Sequence, residues 1–130
     1  RRENGWNINM KYIRIYADDA GESHFEDIEV ELIPVNFAPP APPLNLSSFI
    51  PATQFAFCSF PSGWRGDWHP VPQRLIFFIL SGETTVRVSD DEVRTFRVGD
   101  AILGEDTTGK GHVSWVSSET DALTAVVQLL

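Results

Sequence analysis

The stretch that most constrains this chain is Gly66 to Gly82, GDWHPVPQRLIFFILSG. Trp68 and His69 lead through two prolines into an apolar run that stops at Ser81-Gly82, the pattern of a loop feeding a buried strand closed by a turn. Side chains alternate along a strand, so His69, Val71, Gln73, Leu75 and Phe77 share one face if the chain stays extended through both prolines. The other face carries Arg74, Ile76, Phe78 and Leu80 and is also apolar, with one exception. A strand apolar on both faces needs cover on both sides, as in a sandwich or a two-sheet barrel. A histidine and an amide on an otherwise oily face then require partners or a ligand.

The remaining segments repeat the strand pattern. KYIRIY (Lys11 to Tyr16) alternates and is rich in β-branched and aromatic residues, and Asp18-Asp19-Ala20-Gly21 turns it. From His24 to Val35 acids alternate with aliphatics, which describes a half-buried strand with a solvated acidic face; His24 lies in that acidic strand region and is assigned no function. APPAPP at 38–43 lacks the N–H donors of a central strand and reads as a stiff crossing loop. Thr53 to Phe60 resumes as a strand, and Trp64 to Trp68 is a loop with two indoles and both charge signs, suited to a pocket rim. Thr84 to Ser89 and Glu92 to Val98 flank Asp90-Asp91 as a hairpin, Ala101 to Leu103 begins a strand, and the polar loop Glu105 to Gly111 delivers His112 into HVSWV. Ala122 to Leu130 closes the chain as a buried strand. The expected fold is all-β, about nine or ten strands with little or no helix.

A chain of 130 residues with 42% hydrophobic and 22% charged residues is one ordinary globular domain, assigned to residues 10–130, with much of its core volume in aromatics. Met10 resembles a native start, so residues 1–9 are read as an upstream or expression-derived extension. Net charge is −8, and no Lys or Arg occurs between Ile15 and Trp64, where seven acids do. Nucleic acid and anionic membranes are therefore not expected partners. Cys58 is the single cysteine and permits no internal disulfide; no apolar run reaches the ~18 residues of a membrane span. A cytoplasmic setting is expected.

Two strand–turn blocks ending in Gly82 and His112, separated by a hairpin, resemble the cupin superfamily, whose fold is a double-stranded β-helix, or jelly-roll, barrel. Counting back from Gly82, the first cupin motif puts its glutamate at Leu75 and its histidines at Val71 and His69, so that only His69 is kept. The second motif runs from Gly99-Asp100 to Gly109-Lys110-Gly111-His112; its histidine is present, Thr107 replaces the usual proline and Val116 the terminal asparagine. WHP, LSGE, FRVGD and EDTTGKGH are most similar to a group of small single-domain bacterial cupins. The resemblance implies the barrel fold and a homodimer, which an exposed apolar strand such as 53–60 or 122–130 would favour. It leaves the reaction open, because the same barrel serves oxygenases, isomerases, epimerases, dehydratases and sensory domains.

The candidate site is the pair His69 and His112, expected to act as acid–base groups. Trp64, Trp68 and Phe77 are expected to form an apolar wall, with Gln73, Arg65 or Lys110 fixing a carbonyl, carboxylate or sugar hydroxyl, and Glu105 available if its loop folds inward; Trp115, between Ser114 and Val116 on a strand, could join that wall but reads first as a core residue. Lys110 in TTGKG lacks the leading glycine of a phosphate loop, and its glycines read as a tight turn. A complete cupin metal site has three histidines and a carboxylate; His69, His112 and the weak neutral oxygen of Gln73 are a poor set for Fe, Mn, Zn or Ni. No cofactor is therefore favoured. The leading expectation is a metal-free isomerase, epimerase or lyase acting on a small molecule. The alternatives are a metal-dependent, oxygenase-like enzyme and a non-catalytic module that binds or senses a small ligand.

Overall fold

The computed structural model describes the backbone of residues 2–3 and 7–130, and side chains from Asn9 onward. Eleven strands and no helix occur among the described residues. They are β1 (Arg2–Glu3), β2 (Asn7–Ala17), β3 (Ser23–Val35), β4 (Leu44–Leu46), β5 (Ala52–Phe60), β6 (Leu75–Ser81), β7 (Thr84–Val88), β8 (Val93–Phe96), β9 (Ala101–Gly104), β10 (His112–Val116) and β11 (Ala122–Leu129). One sheet runs β4-β3-β2-β9-β6-β11-β5, with β1 beside β2; the other runs β10-β7-β8. All pairings are antiparallel except β2 with β9. The ladder of β2 on β3 continues without a break from Ala17 back through Met10 to Ile8, so residues 8 and 9 pair as the rest of the strand does. Residues 1 and 4–6 of the expected extension lie outside the described residues.

The core is where the two sheets face each other. Ile15, Phe25, Ile79 and Ile102 come from the large sheet, and Val86, Val88 and Phe96 from the small one, all less than a tenth exposed. Burying such side chains contributes about 1.5–3 kcal/mol each relative to leaving them in water. Ser23 stitches the sheets at this end: its hydroxyl donates to the Gly111 carbonyl at 2.6 Å, and its N–H donates to Ser89 Oγ at 2.6 Å. No helix among the described residues is long and apolar enough to cross a membrane.

The expected strand from His69 through Phe77 is corrected. Pro70 and Pro72 have no N–H to offer a ladder, the chain bends at Pro72-Gln73, and β6 starts only at Leu75. Gln73 therefore does not share a strand face with His69; it is exposed on the bend. The short strand β4 directly after the proline segment was not expected, and it pairs with the far end of β3.

A second link between the sheets is ionic. His24 Nε2 lies 2.7 Å from Asp18 Oδ2 and its Nδ1 lies 2.8 Å from Asp90 Oδ2, joining the β2–β3 turn to the β7–β8 turn. The hydrogen bonds to Asp18 and then Asp90 raise the imidazole above its ordinary value. His24 in turn holds the Asp18 carboxyl below its own. A raised histidine stabilises the fold fully below its unfolded pKa of about 6.5, and that contribution is lost as pH rises through the folded value. The depressed Asp18 carboxyl behaves oppositely, its contribution being present above about pH 4 and lost as pH falls through the folded value. The clasp is thus complete between roughly pH 4 and 6.5. Urea unfolding of the native protein and of His24→Asn at pH 5.5 and pH 9 is expected to show the variant less stable at pH 5.5, with the gap narrowing at pH 9.

Candidate functional site

Between the two sheets lies a cavity of about 280 Å³. Its wall on the large sheet is apolar: Ile15, Leu75, Phe77, Ile79, Ile102 and the backbone of Gly104, joined by Phe60, Val71 and Pro72. The small sheet brings Thr84, Val86, His112, Ser114 and Trp115, and the segment beside it adds Trp64 and His69. That segment acts as a further strand of the small sheet. Trp64 accepts from the N–H of Val116, the N–H of Gly66 donates to the carbonyl of Ser114, and His69 and His112 exchange two backbone hydrogen bonds of 3.1 Å.

Between the Gly66 and His69 contacts, Asp67 and Trp68 stand opposite the single residue Val113, which makes this a β-bulge. A bulge re-aims the side chain that follows it, and His69 thereby comes to line the cavity with its ring centroid 5.0 Å from that of His112. The second requirement is Gly111. Its φ is +73°, and a Cβ there would lie 2.1 Å from the backbone carbon and oxygen of His69, so only glycine lets the two histidine segments lie side by side.

Each imidazole is held by its Nδ1. His69 Nδ1 is 2.7 Å from the Asp67 carbonyl oxygen, which can only accept, so Nδ1 carries the hydrogen. His112 Nδ1 is 2.7 Å from Asp106 Oδ2. Asp106 is fully buried, and its Oδ1 has no hydrogen-bond partner among the described residues. An ionised carboxylate there accepts from Nδ1–H and leaves the lone pair of His112 on Nε2. Asp106 was missed in the sequence because six other residues of a polar turn surround it; only the fold of that turn sets its carboxylate behind His112. The cavity-lining Phe60, Thr84 and Ser114 were likewise not singled out, since nothing local distinguishes them from other strand residues.

Of the expected site residues, His69, His112, Trp64 and Phe77 meet at the cavity, and Trp115, which the sequence reads first as core, lines it as well. The others stand elsewhere. Trp68 is 47% exposed on the bulge and borders a shallow outer depression with Ser89, Asp91 and Lys110. Lys110 pairs with Glu22. Arg65 is exposed and stacks on the Trp115 ring at 4.5 Å. Glu105 does not turn into the cavity, because Arg14 and Arg74 each grip one of its oxygens at 2.5 Å. Burial opposes ionisation of Glu105, but those two hydrogen bonds outweigh it and hold the carboxyl below its ordinary range.

The donors at the mouth do not match a resident metal. Among the described residues no group of three His, Cys, Asp or Glu side chains is placed to hold an ion. Gln73 is off the cavity wall, and Glu105 is committed to two arginines. Val71 and Leu75, at the positions where the cupin motif has a histidine and a glutamate, do line the cavity and are buried. Two imidazoles fall short of the three or four protein ligands of such centres.

No protein-family model and no curated protein matches the chain. Among solved structures it is similar to a Cupin 2 conserved barrel domain protein from Salinispora arenicola, with 16% identity over 78% of this chain and 76% of that one and a TM-score of 0.48. It is also similar to a predicted oxalate decarboxylase from Thermotoga maritima (20% identity, 92% and 94% covered, TM-score 0.47). A third is the Cnp3 cupin domain of Schizosaccharomyces pombe (11% identity, 95% and 84% covered, TM-score 0.49). Likeness of this degree concerns the fold alone. The chain is all-β, with two sheets packed face to face and the segments of His69 and His112 paired, and it is similar to these cupin barrels.

Proposed function

We propose that this barrel binds a small molecule at the His69–His112 mouth and moves protons on it, in a metal-free reaction of the isomerase, epimerase or lyase type. The observation that carries this reading is the fully buried Asp106 bonded to Nδ1 of a histidine that lines the cavity. Burying an ionised carboxylate costs several kcal/mol even after relaxation. A histidine serving only as packing would not require that arrangement, whereas a base that must carry positive charge in mid-reaction does. His112 Nε2 takes a proton from the bound molecule, and Asp106, 2.7 Å from Nδ1, stabilises the imidazolium that forms. The proton so taken is returned at a neighbouring atom, directly or through His69, whose ring centroid lies 5.0 Å from that of His112. One proton leaves and one arrives, so an isomerisation balances without an oxidant or reductant.

The test begins with a metabolite library screened by thermal shift, followed by mass-spectrometric turnover assays on the hits. Asp106→Asn is expected to lower turnover on the order of 10²–10⁴-fold while the protein stays folded, because the amide no longer fixes the Nε2 lone pair. His69→Ala with His112→Ala is expected to abolish turnover. A ligand that binds and is never transformed would replace the enzyme reading with that of a binding module. Turnover that requires added Fe, Mn, Zn or Ni, with near-stoichiometric metal lost in the double histidine variant, would establish the metal-dependent alternative.

We also propose a homodimer through the outer face of β5, β11 and β6. Phe55 and Phe57 are 70% and 68% exposed on an edge strand. In register beside them stand Ala125 and Phe78, then Val127 and Ile76, so the patch is continuous across three strands. Exposed apolar area of this kind on an unpaired edge favours association. Light scattering at micromolar concentration is expected to give twice the 14.6 kDa chain mass, and Phe55→Lys with Phe57→Lys is expected to give the monomer. A monomeric native protein removes this proposal.

A further inference from the structure

Resting on the reading of the His69–His112 mouth just given, we infer that its ligand is a small neutral aromatic compound of the phenol class, which donates its hydroxyl to one of the two imidazoles. Four features of the cavity converge on it. The wall carries no Lys, Arg, Asp or Glu. The cations nearby are engaged elsewhere: Arg65 on Trp115, Arg14 and Arg74 on Glu105, Lys110 on Glu22. A carboxylate or phosphate on the ligand would be buried without a counter-charge, which disfavours both.

Polarity is also one-sided. His112, Ser114 and Thr84 belong to the small sheet, with His69 next to them, whereas the large-sheet wall is aliphatic and aromatic. The one hydroxyl there, Thr124, already donates to the Cys58 carbonyl at 2.9 Å. A sugar would press several hydroxyls against apolar side chains and leave them unsatisfied. A ligand with one polar edge and an apolar body leaves none.

The apolar body is best met by an aromatic ring. Trp64 stands edge-on to Phe60 with centroids 4.9 Å apart, and Phe60 is tilted against Phe77 at 6.2 Å, so this end of the cavity is an unfinished edge-to-face cluster. Such clusters favour a further ring beyond what apolar area alone supplies. At about 280 Å³ the space lies just below the ~300 Å³ lower end of ordinary ligand pockets, enough for a single ring with a short substituent.

The fourth feature is the direction of the hydrogen bonds. Nδ1 is committed on both histidines, to the Asp67 carbonyl and the Asp106 carboxylate, so each neutral ring has only an Nε2 lone pair left. Two acceptors call for a donor. A phenolic O–H is both a donor and acidic enough to share its proton with an imidazole, which ties the ligand class to the proton transfer proposed above.

Calorimetry on the full chain with 4-ethylphenol, ethylbenzene, 4-ethylcyclohexanol and glucose removes one feature at a time. The phenol is expected to bind about tenfold more tightly than ethylbenzene, which lacks the donor, and than 4-ethylcyclohexanol, which lacks the ring. Glucose is expected to give no binding. His69→Ala with His112→Ala is expected to bring the phenol down to the level of ethylbenzene. Nitrogen shifts of His69 and His112, followed by nuclear magnetic resonance in the unaltered protein, supply a reading that does not depend on the variant folding. Glucose or 4-ethylcyclohexanol binding as tightly as the phenol, with both histidine resonances moving, overturns the ligand class and leaves the site standing. Binding of the phenol that moves neither histidine overturns the ligand class and the site together.

Discussion

The site depends on one backbone contact, that of Gly111 against His69. At a φ of +73° the Gly111 Cα sits so close to the His69 carbonyl that a Cβ would lie 2.1 Å from it, and both atoms it would strike are backbone. No side-chain rotation relieves such an overlap. Gly109, two residues earlier, is pressed in the same way on Gly21, where a Cβ would lie 2.5 Å from the carbonyl oxygen, and Lys110 N–H donates to that same oxygen at 2.9 Å. The turn before His112 thus threads between the β2–β3 turn and the bulged segment, and glycines are what fit. This pinning brings His112 to His69 and folds the preceding turn back so that Asp106 lies behind His112.

The distribution of charge follows a related logic. Two of the acids of β3 that face outward find arginines: Asp27 takes Arg94 of β8 at 2.6 Å, and Glu26 takes Arg14 of β2 at 2.9 Å. Exposed pairs of this kind contribute little each, about 0–1 kcal/mol. Asp106 differs because it is fully buried, with the imidazole on one oxygen and, among the described residues, no hydrogen-bond partner on the other. Whatever stabilises the outer surface, the ionic feature on which the proposed chemistry rests is this single interior carboxylate.

The parts of this architecture that obey local periodicity were legible in the sequence. The acid–aliphatic alternation of β3, the apolar run of β6 and the hairpin around Asp90-Asp91 all reappear within a residue or two of where the pattern places them. The barrel mouth was legible through His69 and His112. Features decided by pairing between distant segments were not. The bulge at Asp67-Trp68 exists only relative to Val113, and the bend at Pro72-Gln73, which removes Gln73 from the wall, depends on where β6 picks up β9 and β11. Glu105 looks like a free carboxylate until Arg14, 91 residues earlier in the chain, and Arg74 close on it. Asp106 and Glu105 are neighbours in one polar loop, yet one is buried behind a histidine and the other is clamped at the surface. No property of the two residues themselves distinguishes these fates.

Val71 and Leu75 complete the logic of the mouth. Both stand where the cupin motif carries ligating side chains, both are buried, and both line the cavity. With valine and leucine there, the cavity is an apolar chamber with two imidazoles at one edge. In such surroundings the effective dielectric is low, and hydrogen bonds and charges act more strongly than in water. In the proposed reaction, the charge that would arise on His112 is met by Asp106 at 2.7 Å. The apolar wall and the buried carboxylate are therefore two halves of one device: the first removes competing polar groups from around the imidazole, and the second supplies the counter-charge whose place they would have taken.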